Sequence, residues 1–336
     1  MQHPDVKRIL LLEFWNIGDV VLTLPFLQQL RVIFPSARVV LVGRPHAREL
    51  LAPSGLVDEF IETDLTWQHP SRSFNPLAYP WSDIWRLARS LRAHKFDIAF
   101  QCRPHIREYV ILALSGAKRR VGVSMTGWDR LLTDRVSVNP FREQKKESWL
   151  RLLEPFGGRR VAVPPRLEAE ESAEQWASRF LATRGVTTED LLIGVHPGAS
   201  VPSKRWPIER FAEVVNKLVG RRGVRVIVFV EPSGYGSALD ARDGRILVRE
   251  GLPEMVALLG RCDLLVCNDS GPMHIAGALG VPCVAVFSSG IERMFEPLGE
   301  GHQVVTPPTL ETGHRGYDVT KVPATRVLDA IEQAIG

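Results

Sequence analysis

The polar stretch WNIGD, residues 15–19, follows an apolar run and carries one carboxylate, that of Asp19. A carboxylate at such a point accepts the proton of an attacking hydroxyl group when it lies within hydrogen-bond distance. Gly18 permits a tight turn in which free backbone N–H groups face a ligand. The alternative is a helix N-cap, worth about 1 kcal/mol, and the local sequence alone favours this second reading of Asp19.

The loop HPGASVPSKRWP, residues 196–207, has the composition of a phosphate-binding loop without the spacing of a Walker motif. Gly198 and Ser200 are small enough for a backbone to approach phosphate oxygens, and Lys204 supplies a compact positive charge. Trp206 and Pro207 mark the start of the next helix. An ordinary surface loop is an equally good interpretation of these residues taken alone.

The segment CNDSGPMHIAGALGVP, residues 267–282, has the signals of a helix start. Asp269 and Ser270 are N-cap types, and Pro272 suits the first turn. A helix that begins in this way binds anions through its free N–H groups. His274 lies on the first turn and can face the same ligand, although an isolated histidine is more often structural.

Several familiar catalytic motifs do not occur in the sequence. No G-x-G-x-x-G follows the first predicted strand, and GYGSAL at 234–239 lacks the third glycine, which argues against a nicotinamide-binding domain. Neither H-E-x-x-H nor G-x-S-x-G is present. The chain also has no D-x-D pair, which argues against a glycosyltransferase that holds its donor through a divalent metal. We therefore expect no metal site.

The elements that position these loops are visible in the hydrophobic pattern. Short β-rich apolar runs alternate with amphipathic segments, which is typical of βαβ units on a parallel sheet. Pro25 should kink the first helix or begin a second one. In the first half we predict helices near 19–34, 82–94, 104–115 and 142–156, and strands at Ile9–Phe14, Arg38–Gly43, Glu59–Glu62, Asp97–Cys102 and Arg120–Val123.

The second half repeats the pattern. We predict helices near 207–220, 253–260 and 271–280, and strands at Leu191–Val195, Val224–Val230, Arg245–Val248, Asp263–Cys267 and Pro282–Phe287. Glycines, prolines and an acidic run interrupt the pattern between the halves. The predicted organisation is an N-terminal domain at 1–160, a linker at 161–172, a C-terminal domain at 173–322 and a final helix at 323–336. Ligands of open α/β sheets bind beyond the carboxyl ends of the strands, where all three loops lie.

Composition agrees with two doubly wound α/β domains. A chain of 336 residues, 45% of them hydrophobic, can bury two ordinary cores. No apolar run approaches the roughly 18 residues of a membrane span, and Ile9–Leu12 is too short for a signal peptide, so a soluble intracellular protein is expected. The four cysteines have neither C-x-x-C nor metal-ligand spacing, and we expect reduced, mostly buried thiols.

Charge is distributed unevenly along the chain. Residues 1–160 hold 24 Lys and Arg against 16 Asp and Glu, a net charge of +8, whereas residues 161–336 hold 18 against 22, a net charge of −4. A solvated surface explains this without a partner. The asymmetry also suits a polyanionic partner such as nucleic acid, an anionic membrane surface or a phosphorylated substrate.

Three blocks in order resemble one family. ILLLEFWNIGDVVLTLPFLQQLR, HPGASVPSKRWPIERFAEV and LLGRCDLLVCNDSGPMHIAGALGVPCVAVF are similar to the corresponding blocks of glycosyltransferase family nine, the heptosyltransferases of lipopolysaccharide core synthesis. The likeness extends over about residues 7–335. It implies a GT-B architecture, in which two Rossmann-like domains face a central cleft, the N-terminal one binding the acceptor and the C-terminal one the nucleotide sugar. The implied reaction moves a heptose from ADP-heptose to a Kdo or heptose hydroxyl, with inversion and without a metal.

The resemblance also assigns roles to residues. Asp19 matches the acid of the family's "GD" motif, the general base, and Lys204 matches its phosphate-binding lysine, which stabilises the leaving group. The family has a ribose-binding acid after the strand predicted at Val224–Val230, and Glu231 is the carboxylate nearest to that position in this sequence. Donor contacts are implied for Ser200, Lys204, Asp269, Ser270, Gly271 and His274. Acceptor contacts are expected for Asn16, Gly18, Arg103, Arg107 and Arg120.

Partners and location follow from the same likeness. We expect a nucleotide sugar as the donor, no other cofactor, an anionic lipopolysaccharide core precursor as the acceptor, and no nucleic acid. The enzyme would work in the cytoplasm, with peripheral contact at the inner face of the membrane. Two alternatives stay open: a transferase of the same fold with another nucleotide sugar or with a protein or small-molecule acceptor, and a donor-binding homologue that does not catalyse.

The segment PWSDIWRLARSLRAHKF, residues 80–96, has two interpretations. Trp81, Ile84, Trp85, Ala88 and Leu91 lie near one helical face, with the arginines elsewhere. Core packing is the favoured interpretation, and docking at a membrane interface is the alternative.

Overall fold

The chain folds into two compact units, Met1–Pro164 and Pro165–Gly336. The computed structural model describes residues 5–63, 79–124, 127–139, 143–158, 166–239, 245–287, 295–307 and 318–335. The division between the units falls within the segment 161–172 that the sequence analysis assigns to a linker. Residues 159–165 of that segment and its surroundings lie outside the described residues.

The first unit is a six-stranded parallel sheet with the order β3-β2-β1-β4-β5-β6. Its strands are β1 Arg8–Glu13, β2 Arg38–Gly43, β3 Glu59–Glu62, β4 Ile98–Gln101, β5 Arg119–Val123 and β6 Asp134–Val136. Its helices are α1 Ile17–Val21, α2 Leu24–Ile33, α3 Pro45–Leu51, α4 Trp81–Arg92, α5 Ile106–Leu114 and α6 Lys145–Arg151. The central strand β1 pairs with β2 on one side and β4 on the other. The strand order therefore reverses between β1 and β4.

The second unit repeats this topology with the order β12-β11-β10-β7-β8-β9. Its strands are β7 Leu191–His196, β8 Val224–Phe229, β9 Arg245–Val248, β10 Leu264–Asn268, β11 Cys283–Val286 and β12 Gln303–Val305. Its helices are α7 Glu171–Ala182, α8 Ile208–Val219, α9 Leu252–Leu259, α10 Gly271–Leu279 and α11 Ala324–Ile335. The reversal lies between β7 and β10, which pair in parallel. Both sheets have the doubly wound order, in which ligands bind at the carboxyl edge where the order reverses.

Continuous apolar runs explain the central strands. Five of the six residues of β1 and all five of β10 are buried, as is usual for strands covered by helices on both faces. The core of the second unit joins β10 to α8 and α11 through Phe211, Val215 and Val327. All four cysteines are free and buried, as expected. Among the described residues, no helix is both long and apolar enough to cross a membrane.

The structure changes the predicted elements in a few places. The helix expected near 19–34 is two helices, and Pro25 lies in the first turn of the second, α2, so Pro25 begins a helix rather than kinking one. The three-residue edge strands β6 and β12 were missed, as were α3 and α7. The helix expected near 142–156 is shorter, because α6 ends at Arg151 and a 3-10 turn follows at Glu154–Phe156.

Candidate active site

Asp19 lies just beyond the carboxyl end of β1, in the first turn of α1. The N-cap of this helix is the exposed Asn16, with φ −75° and ψ 168°, so the N-cap reading of Asp19 is wrong. Gly18 is helical and is not among the glycines with positive φ, so it makes no left-handed turn. The Asp19 side chain is half-buried at the positive end of the helix, where a carboxylate is stabilised.

Trp15, four residues before Asp19, is held from three sides. Its backbone N–H donates to Glu13 Oε1 at 2.9 Å, and its indole N–H donates to Glu108 Oε1 at 3.3 Å. His46 Nε2 contacts its carbonyl oxygen at 2.8 Å. The guanidinium of Arg103 lies over the indole ring. The contacts from α3, the β4–α5 loop and α5, together with that from Glu13 in β1, fix the segment that leads into α1.

Glu13 and Glu108 form an acidic pair of buried groups around this segment. Burial raises the pKa of Glu13 to about 8, and the negative charge of Asp19 adds to the effect. Burial raises the pKa of Glu108 to about 7, although Arg103 opposes it. Lys145 faces the same groups. Burial alone would lower its pKa, but the nearby acidic groups, Cys102 and Asp19 foremost, have the larger effect, and the net result is a raised pKa. Asp19 is therefore one of three carboxylates in a shared electrostatic environment.

Two arginines that follow β4 belong to this edge of the sheet. Burial lowers the pKa of Arg103, while the charges of Asp19 and Glu108 oppose that shift. Its buried Nη1 has no hydrogen-bond partner among the residues that the structure describes. Arg107 is buried, with its Nε 3.2 Å from His105 Nδ1 and its guanidinium 4.5 Å from the centre of the Tyr79 ring. Arg103 thus offers an unused donor beside Asp19, whereas Arg107 packs between aromatic rings.

Arg120 does not join this group. It is the second residue of β5 and so lies at the amino end of that strand, opposite the edge that carries Asp19. Its guanidinium donates to the carbonyl oxygens of Leu131 at 2.8 Å and Ala117 at 3.0 Å. The structure therefore places Arg120 apart from Asp19, with its side chain holding local backbone.

In the second unit, Asn268 at the end of β10 holds the loop that follows β7. Its side-chain amide donates to the carbonyl oxygens of Pro197 at 2.7 Å and Gly198 at 3.2 Å. Its side-chain oxygen accepts the backbone N–H of Trp206 at 3.0 Å. The Trp206 indole is fully buried and donates to the carbonyl oxygen of Val322 at 2.9 Å. One buried side chain therefore anchors both ends of the loop that carries Ser200 and Lys204.

The anchored loop brings Lys204 to Asp269. Lys204 Nζ lies 2.6 Å from Asp269 Oδ2, and Asp269 is almost fully buried while Lys204 stays partly accessible. Because an ammonium has three N–H donors, this pair leaves Lys204 able to donate to a second anion. Ser200 is exposed in the same loop.

The helix α10 begins at the same place. Its N-cap is Ser270, whose hydroxyl oxygen is buried and makes no hydrogen bond to the described residues. Gly271 is the first helical residue, and His274 is buried in the first turn. Gly277 lets the helix approach the segment after it, because a Cβ there would lie 2.5 Å from the Leu298 carbonyl oxygen. A helix N-terminus with an unsatisfied hydroxyl beside Lys204 is suited to bind phosphate oxygens.

Glu231 follows β8 and reaches the β7 loop from its other side. A Cβ at Gly198 would lie 2.1 Å from Glu231 Oε1, so only glycine leaves room for this carboxylate. Arg205 Nη2 lies 3.5 Å from Glu231 Oε2, and its guanidinium is 4.7 Å from the centre of the Tyr235 ring. A carboxylate and an aromatic ring therefore lie next to the loop that carries Lys204.

The two sets of side chains lie at the carboxyl edges where each sheet reverses its strand order. A family model described as Glycosyltransferase family 9 (heptosyltransferase) matches residues 84–316, more than half of the chain. The chain belongs to this family. It is thus a glycosyltransferase, and the predicted fold class of two doubly wound domains of the GT-B type is confirmed.

Known proteins resemble this glycosyltransferase along its length. Lipopolysaccharide heptosyltransferase 2 of Escherichia coli (strain K12) is 25% identical over 323 residues, 86% of this chain and 85% of the relative. The solved glycosyl transferase family 9 from Veillonella parvula DSM 2008 has a TM-score of 0.83 and 26% identity, over 99% of this chain and 98% of that one. The E. coli ADP-heptose lps heptosyltransferase II shares the fold, with a TM-score of 0.78 and 21% identity over 98% of each chain.

Three members of the first site of this family 9 glycosyltransferase, Glu13, Glu108 and Lys145, were not predicted from its sequence. Glu13 ends the apolar run of β1, and that was the available signal for it, because a charged residue in a buried element requires a partner. Glu108 stands beside Arg107 near the start of α5, where the local sequence gives no such signal. Lys145 belongs to α6, far along the chain, and no local pattern connects it to β1. Asp19 is therefore not the only carboxyl group at this edge of the sheet.

Proposed function

We propose that this enzyme transfers a heptose from ADP-heptose to a Kdo or heptose hydroxyl of the lipopolysaccharide inner core. The family description and the names of the relatives support the sugar and the acceptor class. The name of the E. coli structural neighbour includes ADP-heptose, which supports the donor. The proposed transfer inverts the anomeric carbon in one displacement and needs no metal.

The observation that carries the proposal is the convergence of Lys204, Ser270 and the N-terminus of α10 in the second unit. The diphosphate of ADP-heptose binds there, with its oxygens accepting from the Lys204 ammonium, the Ser270 hydroxyl and backbone N–H groups of α10. As the bond between the anomeric carbon and the diphosphate oxygen breaks, charge grows on the leaving ADP. Preorganised donors stabilise that growing charge in the role that a metal plays elsewhere.

The remaining donor contacts follow from the same loops. Asp269 orients Lys204 through their 2.6 Å ion pair and presents its other carboxylate oxygen to a sugar hydroxyl. Glu231 accepts from the ribose hydroxyls, since its carboxylate borders the loop at Gly198. Ser200 and His274 complete the set of donor contacts.

In the first unit, Asp19 acts as the general base. It takes the proton of the acceptor hydroxyl while that oxygen forms its bond to the anomeric carbon, so a single displacement inverts the centre. The free Nη1 of Arg103 donates to a carboxylate or phosphate of the acceptor, and Asn16 and Gly18 border the same position. This assignment requires the acceptor oxygen to come within about 3 Å of the Asp19 carboxylate.

Asp19→Asn tests the assignment directly. We expect transfer from ADP-heptose to a Kdo-containing acceptor to fall about 10²- to 10⁴-fold, because the amide cannot accept the proton. ADP affinity should be unchanged, since Asp19 belongs to the first unit and the donor contacts to the second. The matched control is Asp83→Asn, which removes a carboxylate of the same unit that pairs with Arg86 on α4. Transfer at a near-parental rate by Asp19→Asn would show that another group is the base.

The proposed acceptor also assigns a place to the enzyme. A lipid-linked core precursor and a cytosolic nucleotide sugar meet at the inner face of the cytoplasmic membrane, so we place the reaction there.

A further inference from the structure

The helix α4 turns two indole rings to solvent. Its buried side chains are Ile84, Ala88 and Leu91. Trp85 is 53% exposed and Trp81 is 36% exposed. The prediction that both tryptophans belong to the core face is therefore wrong. Ile84, Ala88 and Leu91 pack into the core. The two indole rings lie beside this buried stripe.

Two arginines extend the line of indoles along the helix. At 3.6 residues per turn, Trp81, Trp85, Arg89 and Arg92 lie on one side of α4, and we call this set the α4 face. The Arg89 guanidinium lies 5.1 Å from the centre of the Trp85 ring. Within the described chain, neither arginine pairs with a carboxylate, whereas the adjacent Arg86 is bound to Asp83 at 3.1 Å. The α4 face is thus cationic and aromatic.

A surface cavity of about 490 Å³ opens at the end of this face. Trp85, Arg89 and Arg92 supply its cationic and aromatic walls, and Ala93 and Leu114 its aliphatic walls. A site with two guanidinium groups and an apolar wall suits an amphipathic anion, such as a phosphate ester next to hydrocarbon. The α4 face therefore includes a concave site that is lined by positive charge.

We propose that the α4 face binds the surface of a bilayer that contains anionic phospholipids. Indole rings are enriched at the headgroup level of a bilayer, where the ring contacts an apolar layer and the N–H is hydrated. The arginine stems lie along the same layer while their guanidinium groups reach the phosphates. The net charge of +8 on residues 1–160 attracts the whole unit to such a surface.

The proposal concerns binding alone and does not depend on which sugar the enzyme transfers. The full chain is mixed with sedimentable vesicles of phosphatidylcholine, or of phosphatidylcholine with phosphatidylglycerol. We expect sedimentation with the anionic vesicles, little with the neutral ones, and weaker binding as salt rises. The double variant Arg89→Gln and Arg92→Gln should bind the anionic vesicles at least about tenfold more weakly.

The indoles are tested with brominated lipids, which quench tryptophan fluorescence on contact. Quenching in the parent should be largely lost in the double variant Trp81→Ser and Trp85→Ser. Buried Trp149 and Trp206 cannot reach the lipid and contribute only background. Thermal melts establish that each variant is folded.

Matched controls separate this face from general surface charge. Arg210→Gln with Arg222→Gln removes the same charge from the second unit, and Trp128→Ser removes an indole that is 43% exposed outside α4. Both should bind as the parent does. Equal binding to neutral vesicles, or unchanged affinity in the α4 variants, would overturn the proposal. Binding of a single-stranded oligonucleotide that depends on the α4 face, without vesicle binding, would overturn it in favour of nucleic acid.

Discussion

At the scale of single residues, Glu13 of the first unit has a pKa far above that of an ordinary glutamate. A carboxyl group with a pKa near 8 holds a proton at neutral pH, unlike an ordinary glutamate. Glu13 can do so without losing its contact, because either form accepts the Trp15 N–H through Oε1. The buried groups around Asp19 thus carry less negative charge than the sequence implies.

The raised pKa of Glu13 predicts how stability depends on pH. Unfolding returns this pKa from about 8 to 4.5, so the native state binds the extra proton between these values and its stability falls as pH rises through them. Glu13→Gln keeps the acceptor without the charge and should be more stable than the parent by roughly 1–3 kcal/mol at about pH 9. Near pH 5 the difference should vanish. Thermal melts of both proteins across this range measure it.

The control for this experiment is Glu189→Gln, which removes an exposed carboxylate from the second unit. It should melt in parallel with the parent at every pH. A Glu13→Gln protein that is destabilised equally at both ends of the range would mean that Glu13 is ionised in the folded state.

In the second unit, the residue whose substitution tests the proposed diphosphate site is Lys204. Lys204→Ala should weaken ADP binding about 10- to 100-fold, because a hydrogen bond to a charged group contributes about 1.5–3 kcal/mol. Isothermal titration with ADP measures the loss. Lys217→Ala, which removes an exposed lysine from α8, should bind ADP as the parent does. If ADP affinity is the same in Lys204→Ala, then the lysine serves only its ion pair with Asp269.

At the scale of elements, the position of α10 depends on Gly277. A methyl group there would lie 2.5 Å from the Leu298 carbonyl oxygen and 2.8 Å from Pro297 Cβ, so helix or loop must move. Gly277→Ala should destabilise the protein by about 1–3 kcal/mol and weaken ADP binding, because the helix N-terminus shifts with it. Thermal melts and ADP titration measure both effects.

Gly220→Ala is the matched control for this change. Gly220 is the C-cap of α8 with helical φ, and a Cβ there meets nothing closer than 3.6 Å. Stability should be unchanged or slightly higher, because alanine restricts the unfolded chain. Equal behaviour of the two alanine variants would show that α10 has room to spare at Gly277.

Elements with a local signal were predictable from the sequence, and contacts between distant elements were not. The central strands are continuous apolar runs, so β1, β2 and β10 were found, whereas β6 and β12 are three residues long and carry no clear period. The loop of Lys204 could be chosen by its small residues. Its pairing with Asp269, 65 residues along the chain, depends on β7 and β10 being neighbours. Exposure of Trp85 likewise depends on how much of α4 the core covers.

At the scale of the whole molecule, one topology is used twice for different chemistry. Each unit carries its polar side chains at the carboxyl edge where the strand order reverses, which the fold alone dictates. The charge around those edges differs. The buried carboxyl groups of Glu13 and Glu108 lie around Asp19, whereas Lys204 and a helix N-terminus dominate the second unit, where we propose that the diphosphate binds.

This division predicts which nucleotide stabilises the chain. A ligand that binds only the folded state adds about 2.7 kcal/mol of stability at a concentration of one hundred times its Kd. Thermal melts with ADP, UDP, GDP and TDP should show the largest upward shift with ADP, and Asp19→Asn should show the same shift because its substitution lies outside the donor site. Lys204→Ala should show less. A larger shift with UDP than with ADP would reject ADP-heptose as the donor while leaving the glycosyltransferase fold and the role of the α10 N-terminus intact.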